Sequence, residues 1–288
     1  MLFCNGPNAG HYLIYLVLMH TLNVQGTFLK TLYVFELSIL SIGSSYFLRI
    51  ATKFEKIAIV KGDVQMEKER HLLVVFPHPD DEAFGVSGTI ASHINNGTPV
   101  TYACLTLGEM GRNMGNPPFC NRETLPLIRK QELQDAANVI GIQDLRMLGY
   151  RDKTVEFEDE EKLINHLGSI MEEVKPSLII SFYPGYSVHP DHDATGAAVV
   201  EAVKRLPVNE RPKLNLVAFS KNCIDELGQP DIMNDVKDVM ATKIAAIKAH
   251  RSQTQLMVAD MEEKLKQNDP QIIAWLQNER FWTYEIQG

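Results

Sequence analysis

The sequence has few cysteines and a deficit of positive charge, and each feature excludes a class of protein. Its four cysteines show no C-x-x-C spacing, which argues against a disulfide framework or a cysteine-based zinc site and is typical of reduced thiols in a cytoplasmic protein. The net charge is −8; residues 1–65 contain five Lys or Arg and three Asp or Glu, so residues 66–288 carry −10. An acidic body disfavours non-specific binding to nucleic acid.

Long apolar runs are also missing. Residues 1–65 contain no clean run of about 18 apolar residues, since the stretch 28–50 includes Lys30 and Glu36, and the start lacks the basic region of a signal peptide. We predict that residues 1–65 are a non-core extension. They are an upstream translation artefact with the true start at Met66, a membrane-associating hairpin, or an extra ordered element of the fold. The charged leader 66–70 before the first strand favours the artefact.

From residue 72 onward, apolar runs alternate with amphipathic stretches. This alternation is the pattern of a parallel sheet with helices on both faces, and it predicts one three-layer αβα domain over residues 66–288 with a mainly parallel, Rossmann-like sheet. No glycine-rich phosphate motif accompanies it, so the domain is not a dinucleotide-binding one. The predicted strands are 72–76, 99–107, 145–148, 177–183, 214–219 and an edge strand at 281–286, and the predicted helices are 83–91, 127–140, 158–174, 194–205 and 236–250.

Polar residues of the kind that bind metals follow two of the predicted strands. Strand 72–76 is followed by Pro77-His78-Pro79-Asp80-Asp81-Glu82, and strand 177–183 is followed, after a short loop, by His189-Pro190-Asp191-His192. In open α/β sheets, ligands bind in the crevice at the carboxyl ends of the strands, so the two clusters can meet there.

The two clusters predict a metal site. His78, Asp81 and His192 would supply two imidazoles and one carboxylate, and three protein ligands with one position left for water is the number expected at a catalytic Zn²⁺ site. Fe²⁺ would accept the same ligands. The alternative for each histidine is a core residue satisfied by the backbone. Neighbouring side chains diverge, so Asp80 and Asp81 cannot easily face one metal.

Together the two motifs resemble the signature of the PIG-L/LmbE-type zinc N-deacetylases. Within that family the chain is most similar to the bacillithiol-pathway N-acetylglucosaminyl-malate deacetylases, and the resemblance covers residues 66–288. It implies that Asp81 is a metal ligand and Asp80 the general base, for which the alternative is a helix N-cap. It also implies that His189 stabilises the oxyanion or protonates the leaving amine. Asp191 would orient His189, or simply cap the following helix.

The resemblance also implies residues that bind the substrate. Arg129 matches a position where relatives hold the sugar, and Tyr186 resembles a substrate-loop tyrosine, although it lies three rather than two residues before His189. Arg112 lies in the irregular loop 108–125, which follows a strand and is expected to lie over the site. Arginines there would offset the acidity of the domain and bind a carboxylate.

The function implied by the resemblance is metal-assisted hydrolysis of an amide. We expect removal of the N-acetyl group from a glucosaminyl compound, with N-acetylglucosaminyl-malate as the substrate. The alternatives are a deacetylase of another N-acetylglucosaminyl compound and a non-catalytic sugar-binding protein. We also expect a cytoplasmic homo-oligomer whose residues 66–288 contact neither nucleic acid nor membrane.

Overall fold

The computed structural model describes residues 66–286 in full, and within residues 1–65 it describes only the backbone of five strands. The chain divides into two compact units, Met1–Met66 and Glu67–Gly288. The strands of the first unit are β1 (Leu2–Asn5), β2 (His11–Val24), β3 (Thr27–Ile42), β4 (Ser45–Ala51) and β5 (Ile59–Lys61). They form an antiparallel sheet in which β1 to β4 are adjacent in chain order and β5 pairs with β3. The predicted origin of residues 1–65 falls outside the fully described residues and stays a prediction.

The second unit is built on a seven-stranded sheet. Its strands are β6 (Leu72–Phe76), β7 (Val100–Cys104), β8 (Asp144–Met147), β9 (Leu178–Phe182), β10 (Lys213–Val217), β11 (Ile232–Asp235) and β12 (Asn278–Thr283). The order across the sheet is β11-β12-β10-β9-β6-β7-β8. Five neighbouring strands are parallel to one another, namely β10, β9, β6, β7 and β8. Strand β12 is antiparallel to both of its neighbours, β10 and β11. The predicted, mainly parallel sheet is confirmed.

Helices cover both faces of this sheet and complete the predicted three-layer αβα domain. They are α1 (Asp81–Gly85), α2 (Ser87–Asn95), α3 (Leu125–Ile140), α4 (Glu160–Val174), α5 (Pro190–Arg205), α6 (Cys223–Leu227), α7 (Met240–Ala249), α8 (Arg251–Lys266) and α9 (Pro270–Gln277). Helices α4 and α5 share one core with one face of the sheet, and α1, α2, α3, α7, α8 and α9 share the core on the other face. In the fully described part of the chain, no helix is both long and apolar enough to cross a membrane.

The central strands are apolar on both sides because both of their faces are covered. In β6, Leu72, Val74 and Phe76 enter one core, while Leu73 and Val75 enter the other. Such strands appear in a sequence as continuous apolar runs rather than as alternating patterns. This explains why 72–76 and 177–183 were recognisable without any periodicity.

The structure corrects the prediction at the C-terminal end of the sheet. The predicted edge strand 281–286 begins earlier, at Asn278, and lies inside the sheet between β10 and β11, so that β11 forms the edge. Strand β11 was missed because its four residues are only alternately half-buried and include no apolar run. Helix α8 differs from the prediction because its apolar stripe is short: Met261 is its one fully buried large apolar side chain, and Val258 and Leu265 are only partly buried against the core.

Candidate active site

The two predicted clusters emerge at the same edge of the sheet. Strands β6 and β9 are hydrogen-bonded neighbours in parallel, so the residues that follow them meet at their carboxyl ends. Helix α5 packs closely onto β9, since a Cβ atom at Gly196 would collide with the carbonyl oxygen of Phe182. This close approach holds the first turn of α5, which carries His189, Asp191 and His192, over the end of β6.

Three acceptor groups face one another at this edge. Nδ1 of His78 lies 3.1 Å from Nε2 of His192 and 3.5 Å from Oδ2 of Asp81. Nε2 of His192 lies 3.4 Å from Oδ1 of Asp81. Ligands about 2.0–2.2 Å from a tetrahedral metal ion are about 3.3–3.6 Å apart. Two of the three separations fall in this range and the third, 3.1 Å, lies just below it, so the spacing is close to that of a zinc site.

The hydrogen bonds behind the two imidazoles determine which nitrogens face the site. Nδ1 of His192 donates to the carbonyl oxygen of Ser187 at 3.0 Å, which leaves the lone pair on Nε2. Nε2 of His78 donates to the carboxylates of Asp191 and Asp152 at 3.1 and 3.2 Å, which leaves the lone pair on Nδ1. When both rings are neutral, two lone pairs and the Asp81 carboxylate point at one place, an arrangement that a bound cation would satisfy in place of the proton on His78.

The charges around these three groups also favour a bound cation. Burial alone would raise the pKa of Asp81, but His192 and His78 hold that pKa well below its ordinary value, so Asp81 is a carboxylate. Burial opposes protonation of His78, whereas Asp152, Asp191 and Asp81 raise its pKa well above the usual range. The carboxylates thus create a negative potential at the imidazole pair, which favours a dication there.

Asp191 contacts a different histidine from the one predicted. Its buried carboxylate accepts hydrogen bonds from Nε2 of His78 and from the backbone N–H groups of Lys153 and Val155, at 3.1, 2.7 and 3.2 Å. Its contact with His189 runs only through the Asp191 backbone N–H. The predicted orientation of His189 by the Asp191 carboxylate is therefore replaced by orientation of His78, and the carboxylate is not a helix cap.

Asp152 was not predicted and has the same function as Asp191. It lies beyond the carboxyl end of β8, and its Oδ2 accepts the Met110 backbone N–H at 2.7 Å while Oδ1 faces His78. Among the described residues, Asp152, Asp191 and His78 form one group of metal-capable side chains whose ligand atoms lie within 4.8 Å of one another, and His78, His189 and His192 form another. Both carboxylates already accept backbone hydrogen bonds, so their geometry is that of supports for an imidazole.

His189 lies beside the imidazole pair. Its Nδ1 accepts the Asp191 backbone N–H at 3.1 Å, so the proton of the neutral ring is on Nε2. The ring centroid lies 4.8 Å from that of His78 and 5.1 Å from that of His192. Burial, and the nearby His78 and His192, lower the pKa of His189. The side chain can therefore donate a hydrogen bond without carrying a permanent charge.

Asp80 stands beside Asp81 in a left-handed backbone conformation, with φ of 101°. It is the N-cap residue of α1, but its side chain makes no capping hydrogen bond, so the cap alternative does not explain the carboxylate. Instead, Oδ2 accepts from Nη2 of Arg129 at 3.1 Å. Burial raises the pKa of Asp80 to about 6 against the opposing charge of Arg129. A carboxylate with such a pKa can accept a proton near neutral pH.

A buried network of Glu82, Tyr102 and His250 holds the backbone of Asp80 in place. Oε2 of Glu82 accepts the backbone N–H of Asp80 at 3.1 Å and the hydroxyl of Tyr102 at 3.0 Å, and Oε1 lies 2.6 Å from Nε2 of His250. Glu82 and His250 are both fully buried. Glu82 lies in the first turn of α1, but its carboxylate does more than interact with the helix dipole. It holds the backbone of Asp80 in its strained, left-handed conformation.

The three residues predicted to bind the substrate, Arg129, Tyr186 and Arg112, do not lie together in the structure. Arg129 is buried, and its guanidinium donates to Asp80 and to the carbonyl oxygens of Gly108 and Pro79, so both terminal nitrogens are directed at protein atoms. The hydroxyl of Tyr186 donates to Oε2 of Glu226 at 2.8 Å, outside the site. Arg112 is exposed in the loop and makes no ion pair with any residue of the fully described part. Arg129 and Tyr186 are thus bonded to protein groups and Arg112 is exposed, and the substrate-binding roles of all three stay predictions.

Comparison with known proteins identifies the family. The sequence profile of PIG-L, described as GlcNAc-PI de-N-acetylase, matches residues 73–203. The chain is similar to the "Probable N-acetyl-alpha-D-glucosaminyl L-malate deacetylase 2" of Bacillus cereus, with 55% identity over 217 residues that cover 75% of this chain and 99% of that protein. The protein of the same name from Bacillus subtilis is 53% identical over 75% of this chain and 98% of its own length.

A solved structure shows the same fold. The N,N'-diacetylchitobiose deacetylase from Pyrococcus horikoshii superposes with a TM-score of 0.58 at 25% identity, over 75% of this chain and 84% of that one. More than half of the aligned residues are identical in the two Bacillus relatives, across nearly their entire lengths. The chain therefore belongs to the PIG-L family of deacetylases.

Proposed function

We propose that the chain is a zinc-dependent deacetylase that removes the N-acetyl group from N-acetylglucosaminyl-malate, as a step in bacillithiol biosynthesis. The observation that carries this proposal is the convergence of His78, Asp81 and His192 next to the carboxylate of Asp80. The substrate is inferred from the activity named for the two Bacillus relatives, which are more than 50% identical to this chain over the aligned residues.

His78 through Nδ1, His192 through Nε2, and Asp81 through its carboxylate would hold the metal. When bound, zinc supplies Lewis acidity, which polarises an amide carbonyl and lowers the pKa of a water molecule towards neutrality. The buried carboxylates of Asp152 and Asp191 hold the His78 ring in place through Nε2. Fe²⁺ would suit the same ligands, so the donor set alone does not decide between the two metals.

The chain's own side chains account for the proton transfers. The Asp80 carboxylate accepts a proton from the water whose oxygen attacks the acetamide carbon. Arg129 holds this carboxylate in place through Nη2. Nε2–H of His189 donates to the carbonyl oxygen as negative charge develops there. The C–N bond then breaks, and the proton held by Asp80 passes to the departing nitrogen, which yields acetate and a free sugar amine.

The alternative of an idle sugar-binding protein is disfavoured by Asp80. A binding protein has no use for a strained, buried carboxylate beside a metal site, since such a conformation is energetically costly. Cys104, Cys120 and Cys223 are free thiols, which supports the proposed cytoplasmic location.

The experiment is a deacetylation assay on the purified full chain. Acetate release is measured from N-acetylglucosaminyl-malate, N,N'-diacetylchitobiose and an inositol-linked N-acetylglucosaminide, before and after metal removal and after addition of Zn²⁺ or Fe²⁺. We expect turnover only with metal, and the highest kcat/KM on the malate compound. Absence of acetate from all three substrates with metal bound would refute the enzyme, and a preference for either other substrate would refute the malate assignment.

A further inference from the structure

A cavity of about 780 Å³ extends from the site along the face of α1. Asp80, Asp81 and His192 line one end. The other end is lined by Trp275 and Arg280, and Trp275 is 37% exposed, so this end is open to solvent. A volume of this size is within the range of about 300–1,000 Å³ that is typical of small-ligand sites.

The far end of the cavity belongs to the active-site edge of the sheet. Strand β12 runs antiparallel to β10, so β12 begins where the parallel strands end. Leu216 on β10 pairs with Trp282 on β12, and continuing this register by two residues brings Ala218 level with Arg280. Both of those residues line the cavity. A ligand with one end at the metal site can therefore reach Arg280 without leaving the cavity.

Two cationic side chains line the cavity, and they differ in what they can bind. Nζ of Lys243 lies 2.8 Å from Oε1 of Glu279, and both side chains are almost completely buried. The same Glu279 carboxylate accepts the backbone N–H groups at the start of α2. Lys243 is thus neutralised in place, because separating a buried pair would leave two uncompensated charges.

Arg280 is the available cation. It is exposed, its guanidinium lies 5.9 Å from the ring centroid of Trp282, and within residues 66–286 it has no acidic partner. Arg129 is committed to Asp80 and to two carbonyl oxygens, and Arg112 does not line the cavity. Because residues 66–288 carry a net charge of −10, an anionic ligand needs a local positive charge in order to bind.

We propose that Arg280 determines substrate specificity by binding a carboxylate of the aglycone through its planar guanidinium, while the acetamide lies at the metal site. This inference rests on the proposed function, because it takes the substrate to be an N-acetylglucosaminide with an anionic aglycone. It assigns carboxylate recognition to β12, in place of the arginines at 112 and 129.

The test compares an anionic and a neutral substrate. We would measure kcat/KM on N-acetylglucosaminyl-malate and on methyl N-acetylglucosaminide for the wild type, Arg280→Gln, Arg280→Lys and Arg112→Gln. The matched control is Arg205→Gln, which removes the same charge from α5, where Arg205 pairs with Glu161 outside the cavity. Arg280→Gln should lose about 10- to 150-fold on the malate compound, as expected for a charge-assisted hydrogen bond.

The neutral substrate supplies the discriminating result. Loss on the methyl glycoside should stay within about threefold, and Arg280→Lys should recover part of the malate activity, because it keeps a point charge but not the paired donors. Free L-malate should inhibit methyl glycoside turnover by the wild type and much less by Arg280→Gln. Equal losses on both substrates, no loss, or a selective loss in Arg112→Gln instead would overturn the proposal. Failure of the wild type on both substrates would instead refute the proposed function.

Discussion

Replacing Asp80 with Asn separates the proposed base from the metal site. Asn has nearly the same shape as Asp, and both tolerate the left-handed region, so the φ of 101° can be kept. The amide oxygen can still accept from Nη2 of Arg129, now 3.1 Å from the Asp80 carboxylate. The backbone N–H can still donate to Glu82. The substitution therefore removes the ability to accept a proton and little else.

The expected loss follows from the role of the carboxylate. A general base contributes about 10²- to 10⁴-fold to a rate, so kcat should fall at least about 10²-fold, which corresponds to about 2.7 kcal/mol of barrier. Arg129 keeps its hydrogen bonds to the carbonyl oxygens of Gly108 and Pro79. Because that guanidinium stays hydrogen-bonded, we expect the variant to fold. Metal content should be unchanged, since Asp80 is not among the three converging acceptors.

The assay combines steady-state acetate release with metal analysis of the same samples. Asp135→Asn is the matched control, because it removes an equal charge from an exposed position on α3. Its turnover should equal that of the wild type. The reasoning would be refuted by an Asp80→Asn protein that holds its metal and retains kcat within about tenfold of the wild type. In that case another group accepts the proton.

Three further predictions concern the metal and the first 65 residues. His192→Ala should leave the fold intact but lower metal affinity more than about 100-fold, as measured by metal titration, because it removes one of three proposed ligands; stoichiometric metal in this variant would contradict the ligand set. Asp191→Asn should weaken metal binding about 10- to 100-fold by loosening His78, and unchanged affinity would show that Asp152 alone orients the ring. A chain limited to residues 66–288 should be folded and active in the same acetate assay, because every proposed site residue lies within it; loss of activity would assign residues 1–65 a structural role.

The proximity of the two motifs was predictable from the strand ends in the sequence, while the roles assigned to their residues stay predictions. The runs 72–76 and 177–183 had to be buried parallel strands, and ligands bind where such strands end. His78 and Asp81 follow the end of β6, and His192 lies at the start of α5 after the loop that follows β9, so the pairing of β6 with β9 brings the two motifs together. The adjacency of β6 and β9 is not given by chain order, because β7 and β8 lie between them in the sequence and the chain crosses over to place β9 on the other side of β6.

What the sequence could not predict is the direction of side chains across the site. Asp191 was expected to contact His189, its neighbour in the motif, but on a helix the carboxylate points away from that ring and towards His78. Asp152 comes from the loop after β8, and a signal existed, since an acidic residue follows a third parallel strand end. His250 gave no such signal, because it meets Glu82 only through the packing of α7 and α8.

The sequence also could not predict which arginines are available to bind a ligand. It gives the position of each charge but not the groups that neutralise it in the folded protein. Arg129 lies in the expected region, yet burial obliges its guanidinium to find acceptors, and the nearest ones are Asp80 and two carbonyl oxygens. A buried arginine of this kind stabilises the site and has little capacity left for a ligand. Arg280 is exposed and unpaired within residues 66–286, so its capacity to bind an anion is retained. For the proposed anionic substrate, recognition would depend on an exposed cation that lines the cavity and has no acidic partner within residues 66–286.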